Sequence, residues 1–172
     1  MRVGARGAVR EDIEELCRLR SRSLEELAGE RGGAVLARRE LSAISHLEIF
    51  KEGTLPSQKE MLLAELAANR HLLALGTIDG SAVGFLQAVE TALEESGPVV
   101  RIEMLYVEGE AREVGVAEAL VDLAKAWSRE RGAIGLDALV LPGMRESKNF
   151  LESMGFAARL LVMHRPHERD GG

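Results

Sequence analysis

Six residues, Arg112-Glu113-Val114-Gly115-Val116-Ala117, stand where an apolar run, "IEMLYV", passes through a short charged turn into an amphipathic segment, "VAEALVDLAKAW". A helix start presents unpaired backbone N–H groups and the positive end of its dipole, so an anion is the natural guest. Gly115 lets the backbone approach a ligand closely, and Ala117 is small enough to allow the same. Arg112 offers a charged fork for phosphate oxygens. A phosphate or pyrophosphate cradle fits these residues; an ordinary strand-to-helix turn with a glycine for clearance fits the spacing equally well. Neither G-x-x-x-x-G-K-[ST] nor G-x-G-x-x-G occurs. His46, His71, His164 and His167 show no zinc spacing, so no metal is expected.

Something must hold that turn in place, and 172 residues suffice for one domain with a real core. Apolar residues make up 46% and charged residues 29%, the balance of a globular chain. A formal net charge of -6 argues against bulk binding to nucleic acid or acidic lipid. No apolar run approaches the roughly 20 residues of a membrane span, and "MRVGARGAVRED" lacks the apolar segment of a signal peptide. Cys17 alone cannot form an internal disulfide, which fits a reducing cytoplasm.

The pattern predicts a short strand around Ala8 to Arg10. A helix capped by Asp12 follows, with Ile13, Leu16, Leu19 and Leu24 on one side. Further helices are expected at about Val35 to Phe50 and Ser57 to Asn69, the second opened by a Ser57/Glu60 capping box. Asp79-Gly80 between two apolar runs reads as a hairpin. "LEESGP" joins the second run to a third, giving three consecutive antiparallel strands. The order then becomes strand, helix (Val114 to Arg131), strand ("AIGLDALVL"), helix ("RESKNFLESMGF", stopped by Gly155) and strand ("AARLLVMHR"). The whole reads as one α/β (α+β) domain over residues 1–172, with a central mixed, mostly antiparallel sheet flanked by helices.

Arg112, Gly115 and Ala117 match [Q/R]-x-x-G-x-[G/A], and the run resembles motif A of the GNAT superfamily of acyl-CoA-dependent N-acyltransferases. "MLYVEGEAR" is similar to that family's fourth strand, "NFLESMGF" to its motif B helix, and "AVREDIEELCRL" to its first strand and helix. The resemblance spans nearly the whole chain. It implies a sheet splayed between its fourth and fifth strands, with the pantetheine arm of acetyl-CoA or another acyl-CoA on the backbone of Leu105, Tyr106 and Val107. It implies the pyrophosphate on amides of Arg112, Glu113, Val114, Gly115, Val116 and Ala117, and cofactor contacts from Asn149 and Phe150. The activity implied is transfer of the acyl group to a primary amine, on a small molecule or a peptide, by direct attack. Homodimers are common in the family, and "ARLLVMH" could pair across an interface.

Two positions depart from the family pattern. The usual acid, a tyrosine four residues before the Gly of "Gly-Phe", is Leu151 here, and Glu113 stands where glycine or a basic residue is common. A carboxylate beside a pyrophosphate is unfavourable unless it points away. For the base, Glu103 lies in an otherwise apolar strand. By alternation it shares a side with Leu105 and Val107, where burial would raise its pKa. Against this, it could face solvent or pair with Arg101 or Arg145. Asp137 within "IGLDALVL" is the second candidate; a buried acid bonded to neighbouring backbone is its plain alternative. These departures also leave open a non-catalytic acyl-CoA-binding or sensing domain of the same fold.

Overall fold

The computed structural model describes residues 1–30, 57–93, 97–141 and 143–159. Strand β1 (Val3–Gly7), helix α1 (Ile13–Gly29), helix α2 (Gln58–Ala67), strands β2 (His71–Ile78), β3 (Ser81–Leu93) and β4 (Gly97–Val107), helix α3 (Val116–Glu130), strand β5 (Gly135–Ala138) and helix α4 (Arg145–Ser153) follow in that order. The sheet runs β1-β2-β3-β4-β5, antiparallel except for the β4–β5 pair. It is thus the mixed, mostly antiparallel sheet expected. Asp79 and Gly80 both take positive φ (48° and 88°), as the hairpin turn between β2 and β3 requires. Ser57 and Glu60 form the expected capping box at the start of α2.

Two expectations at the N-terminus are corrected. The first strand is Val3–Gly7, and residues 10–12 form a 3₁₀ turn. Asp12 does not cap α1 with its side chain. Its carboxylate is taken by Arg6 (2.6 and 2.7 Å) and by the N–H of Val9 (2.9 Å), because a bidentate ion pair outcompetes a single cap bond. The expected helix at 35–50 and residues 94–96 of "LEESGP" lie outside the described residues. So does most of "AARLLVMHR", whose described residues 157–159 are not strand.

The two faces of the sheet carry separate cores. On one, Leu16 and Leu19 of α1 and Leu62 of α2 pack on Leu73, Leu75, Phe85, Met104 and Tyr106. On the other, Val116, Leu120, Val121 and Ala124 of α3 pack on Leu72, Ala74, Leu86, Ala88, Val100, Ile102 and Val107. The face of α3 expected from the sequence is there, with Leu123 and Trp127 at its margin.

Helix α3 seats on a pair of glycines. Gly76 and Gly84 are cross-strand partners in β2 and β3. A Cβ at Gly76 would lie 2.5 Å from Val116 Cγ1 and 3.0 Å from Leu120 Cδ1, and one at Gly84 would lie 2.9 and 3.1 Å from the same atoms. The glycines let the first turn of α3 sit against the sheet, and Val116, stiff about χ1, cannot swing clear. Gly76→Ala is expected to cost about 1–3 kcal/mol by overpacking, which lowers Tm by roughly 3–9 °C for a chain of this size. Gly109→Ala, whose Cβ would meet nothing within 4 Å, should leave Tm within the error of a calorimetric scan.

Candidate active site

Strand β4 contains one residue too many for its partner. Gln87 of β3 faces Met104 and Ala88 faces Ile102, so Glu103 is the extra residue of a β-bulge. The bulge changes the strand's phase. Val100 and Ile102 pack towards α3, and after the bulge Leu105 and Val107 do so, while Met104 and Tyr106 pack towards α1 and α2. Glu103 therefore does not share a side with Leu105 and Val107. The alternation that placed it there is broken at Glu103 itself, and it belongs to the α1/α2 face, where the charge of Glu103 reaches the ring of His71.

Backbone directions turn over at the same place. Before the bulge the carbonyls of Pro98 and Ile102 point to β5, accepting from Ile134 N–H (2.9 Å) and Leu139 N–H (3.1 Å). Beyond it, Glu108 N–H donates to Val83 of β3 (2.9 Å). The carbonyl of Val107 points away from β3 and accepts from Arg112 Nε (3.0 Å). By alternation, Leu105 and Val107 turn N–H and C=O to the β5 side, and Tyr106 turns its own to β3. Strand β5 pairs only with Val99 to Ile102. From Glu103 onward no strand among the described residues pairs with the β5 side of β4, which is there an open edge.

That edge leads into the turn. Glu113 (φ 63°) and Gly115 (φ 94°) are both left-handed, and Gly115 is the N-cap of α3. The first intrahelical bond is Ala119 N–H to the Gly115 carbonyl (3.1 Å), so the amides of Val116, Ala117 and Glu118 precede the helical ladder. A Cβ at Gly115 would meet nothing within 4 Å. A concave run of amides with open space before it suits an anion. Glu113 is exposed and, as a non-glycine residue, sits in a conformation costing about 1–2 kcal/mol.

Other expected site residues have different surroundings. Arg112 is turned back: besides Val107, it binds both carboxylate oxygens of Glu26 near the end of α1 (2.6 and 2.7 Å). Reciprocally, Arg18 of α1 binds Glu108 in the turn (2.5 Å). Glu103 accepts from Arg101 Nη2 (2.7 Å), the pairing weighed against its isolation, and is 17% exposed. Asp137 is not fully buried, and among the described residues it pairs with Arg159 (2.7 Å) and accepts no backbone bond. Asn149 is exposed on α4, Phe150 packs against the α3 core, and Leu151 is buried, where it can donate no proton.

Sequence reasoning missed Gly76, Gly84 and Glu26. The glycines left a signal, since each interrupts a strand-like run, "LLALGTI" and "SAVGFLQ", where close approach is the usual reason. Glu26 left none, being one of several acids on the exposed face of α1.

A model of the acetyltransferase (GNAT) family matches residues 36–156, and the chain belongs to that family. No curated protein sequence matches it. Among solved structures, an aminoglycoside N-acetyltransferase in complex with CoA is similar, with a TM-score of 0.68 at 20% identity over 98% of this chain and 96% of its own. A transcriptional regulator from Bacillus halodurans C-125 gives 0.66 at 24% identity over 95% and 100%. A ribosomal-protein-alanine N-acetyltransferase from Brucella melitensis gives 0.65 at 16% over 96% and 100%. At these identities the likeness is one of fold. Among the described residues no helix is long and apolar enough to cross a membrane, and no three His, Cys, Asp or Glu side chains gather to hold a metal.

Tyr106 reports on the site. Burial raises its pKa above the usual value of 10.0, Glu26 and Glu108 push the same way, and Arg112 and Arg22 oppose them. The folded chain resists forming the phenolate, so this contribution to stability is present below pH 10 and lost as pH rises through the folded pKa. Tyr106 is the only tyrosine. A phenolate absorbance titration of the native protein should therefore show a single transition at higher pH than in the urea-unfolded chain.

Proposed function

We propose that this chain is an acyl-CoA-dependent N-acyltransferase, a single N-acetyltransferase domain over residues 1–172, that moves an acetyl or other acyl group to a primary amine. The acceptor is a small molecule or a peptide amine, and no nucleic acid, membrane or metal takes part. The observation that carries this is the continuity of the open β4 edge with the amides ahead of α3. One offers backbone N–H and C=O to a pantetheine arm, and the other offers donors to a pyrophosphate.

In this reading Leu105 and Val107 hold the pantetheine through backbone, with Tyr106 between them turned to β3. The amides from Glu113 to Ala117 hold the pyrophosphate, and Gly115 leaves it room. The bound thioester supplies the acyl group and a thiolate leaving group. Glu103, at the bulge and on the α1/α2 face, takes the proton that the attacking amine must lose. The carboxylate serves as general base and Arg101 fixes its orientation. Asp137 is the weaker choice, being tied to Arg159. Leu151 provides no acid, and a thiol of ordinary acidity leaves without one. The single Cys17 suits a cytoplasmic setting.

The buried Leu151 and the Arg101-bound Glu103 favour one second reading, a domain that binds acyl-CoA without turnover. Calorimetric titration with acetyl-CoA and a thiol-release screen over primary amines separate the two. The wild type should bind and turn over; binding without thiol release from any amine supports the sensor. Gly115→Ala and Gly115→Glu share the backbone strain, about 1–2 kcal/mol. Only the glutamate puts a carboxylate in the cradle, so it should bind acetyl-CoA more than tenfold weaker than the alanine variant. Glu103→Gln should keep that affinity and lower kcat by about 10²-fold or more. Equal affinities for the two Gly115 variants would remove the pyrophosphate from this turn.

A further inference from the structure

The side chain of Arg112 joins two places, the open edge of β4 and helix α1. Its Nε occupies the carbonyl of Val107 on the open edge (3.0 Å), and its Nη2 is held by both oxygens of Glu26. Its own backbone begins the turn that leads to the amide cradle, three residues before Gly115. So the guanidinium is bonded to α1 and β4 and to none of the amides at the start of α3. Arg18 and Glu108 form a second α1-to-turn ion pair of opposite polarity. The turn therefore remains fastened to α1 when the first pair opens.

Resting on the acyl-CoA reading above, we infer that Glu26 and Arg112 form an autoinhibitory latch on the cofactor site. Glu26 holds the guanidinium against the Val107 carbonyl, which a pantetheine amide must reach, and away from the pyrophosphate. Acyl-CoA binding exchanges the Glu26 carboxylate for phosphate oxygens, ligands of the same charge and forked geometry. The exchange is within reach because both partners are partly exposed (41% and 49%), and an ion pair so exposed is worth no more than about 1 kcal/mol. No covalent step is involved. The latch makes Glu26, which touches no part of the cradle, a residue that sets cofactor affinity.

The test uses the intact chain, acetyl-CoA and acetyl-pantetheine, which lacks the pyrophosphate. Glu26→Gln should bind acetyl-CoA about fivefold more tightly than wild type, the factor that ~1 kcal/mol represents. The gain should vanish when Arg112→Gln is combined with it, the double variant then matching Arg112→Gln alone. For acetyl-pantetheine the gain should be smaller, because only the Val107 carbonyl is released. A merely structural pair predicts the reverse, Glu26→Gln binding more weakly or equally and lowering Tm, and either of those affinities overturns the latch. A gain that persists without Arg112 overturns it too. If wild type and Glu26→Gln alike fail to bind acetyl-CoA while remaining folded, the acyl-CoA reading has failed and takes the latch with it. Binding by wild type with no gain in the variant removes the latch alone.

Discussion

The site depends on one surplus residue. Without Glu103 as the extra residue of β4, the strand would keep its phase, and Leu105 and Val107 would turn their backbone groups to β3 instead of to the β5 side. The bulge does two further things. It moves Met104 and Tyr106 to the α1/α2 core, and it leaves a carboxylate at the point where the strand leaves its parallel neighbour. A strand edge that no neighbouring strand covers is a liability in most proteins. Here, among the described residues, it runs directly into a helix start whose first amides precede the helical ladder, and only the Val107 carbonyl is taken, by Arg112.

Close packing keeps that helix start in register. The glycine pair at 76 and 84 admits Val116 and Leu120 to within the distance where any Cβ would collide. The start of α3 thus has little freedom to slide along the sheet. From the opposite face, α1 is tied to the β4–α3 turn by two ion pairs of opposite polarity, Arg18 with Glu108 and Glu26 with Arg112. Packing holds the start of α3 tightly and exposed charge holds the turn before it loosely, and the proposed latch at Arg112 rests on that contrast.

Much of this was legible in the residues. Asp79-Gly80, the Ser57/Glu60 box and the apolar face of α3 are local features, set by neighbours within a few positions; the helix expected from Val114 begins instead at Val116, with Gly115 as its N-cap. What failed was long-range. Strict alternation put Glu103 with Leu105 and Val107, because a bulge is a mismatch between two strands and neither strand shows it alone. That Arg112 pairs with a carboxylate in the free chain was not legible, because its partner, Glu26, is 86 residues away in sequence. Asp12 read as a cap because the competing Arg6 lies on β1, which the pattern had placed a few residues too late. The breaks in strand pattern at Gly76 and Gly84 were visible, but their purpose needed the helix that rests on them.

The central claim is that the open β4 edge and the α3 start form one acyl-CoA track. Its most direct measurement is an amide ¹H–¹⁵N correlation spectrum of the labelled protein during titration with acetyl-CoA. The account predicts saturable shifts at the amides of Leu105, Val107, Gly115, Val116 and Ala117, with Tyr106, whose N–H turns to β3, moving least among its neighbours. Saturable shifts that spare both stretches, or no shifts at millimolar acetyl-CoA, would contradict it.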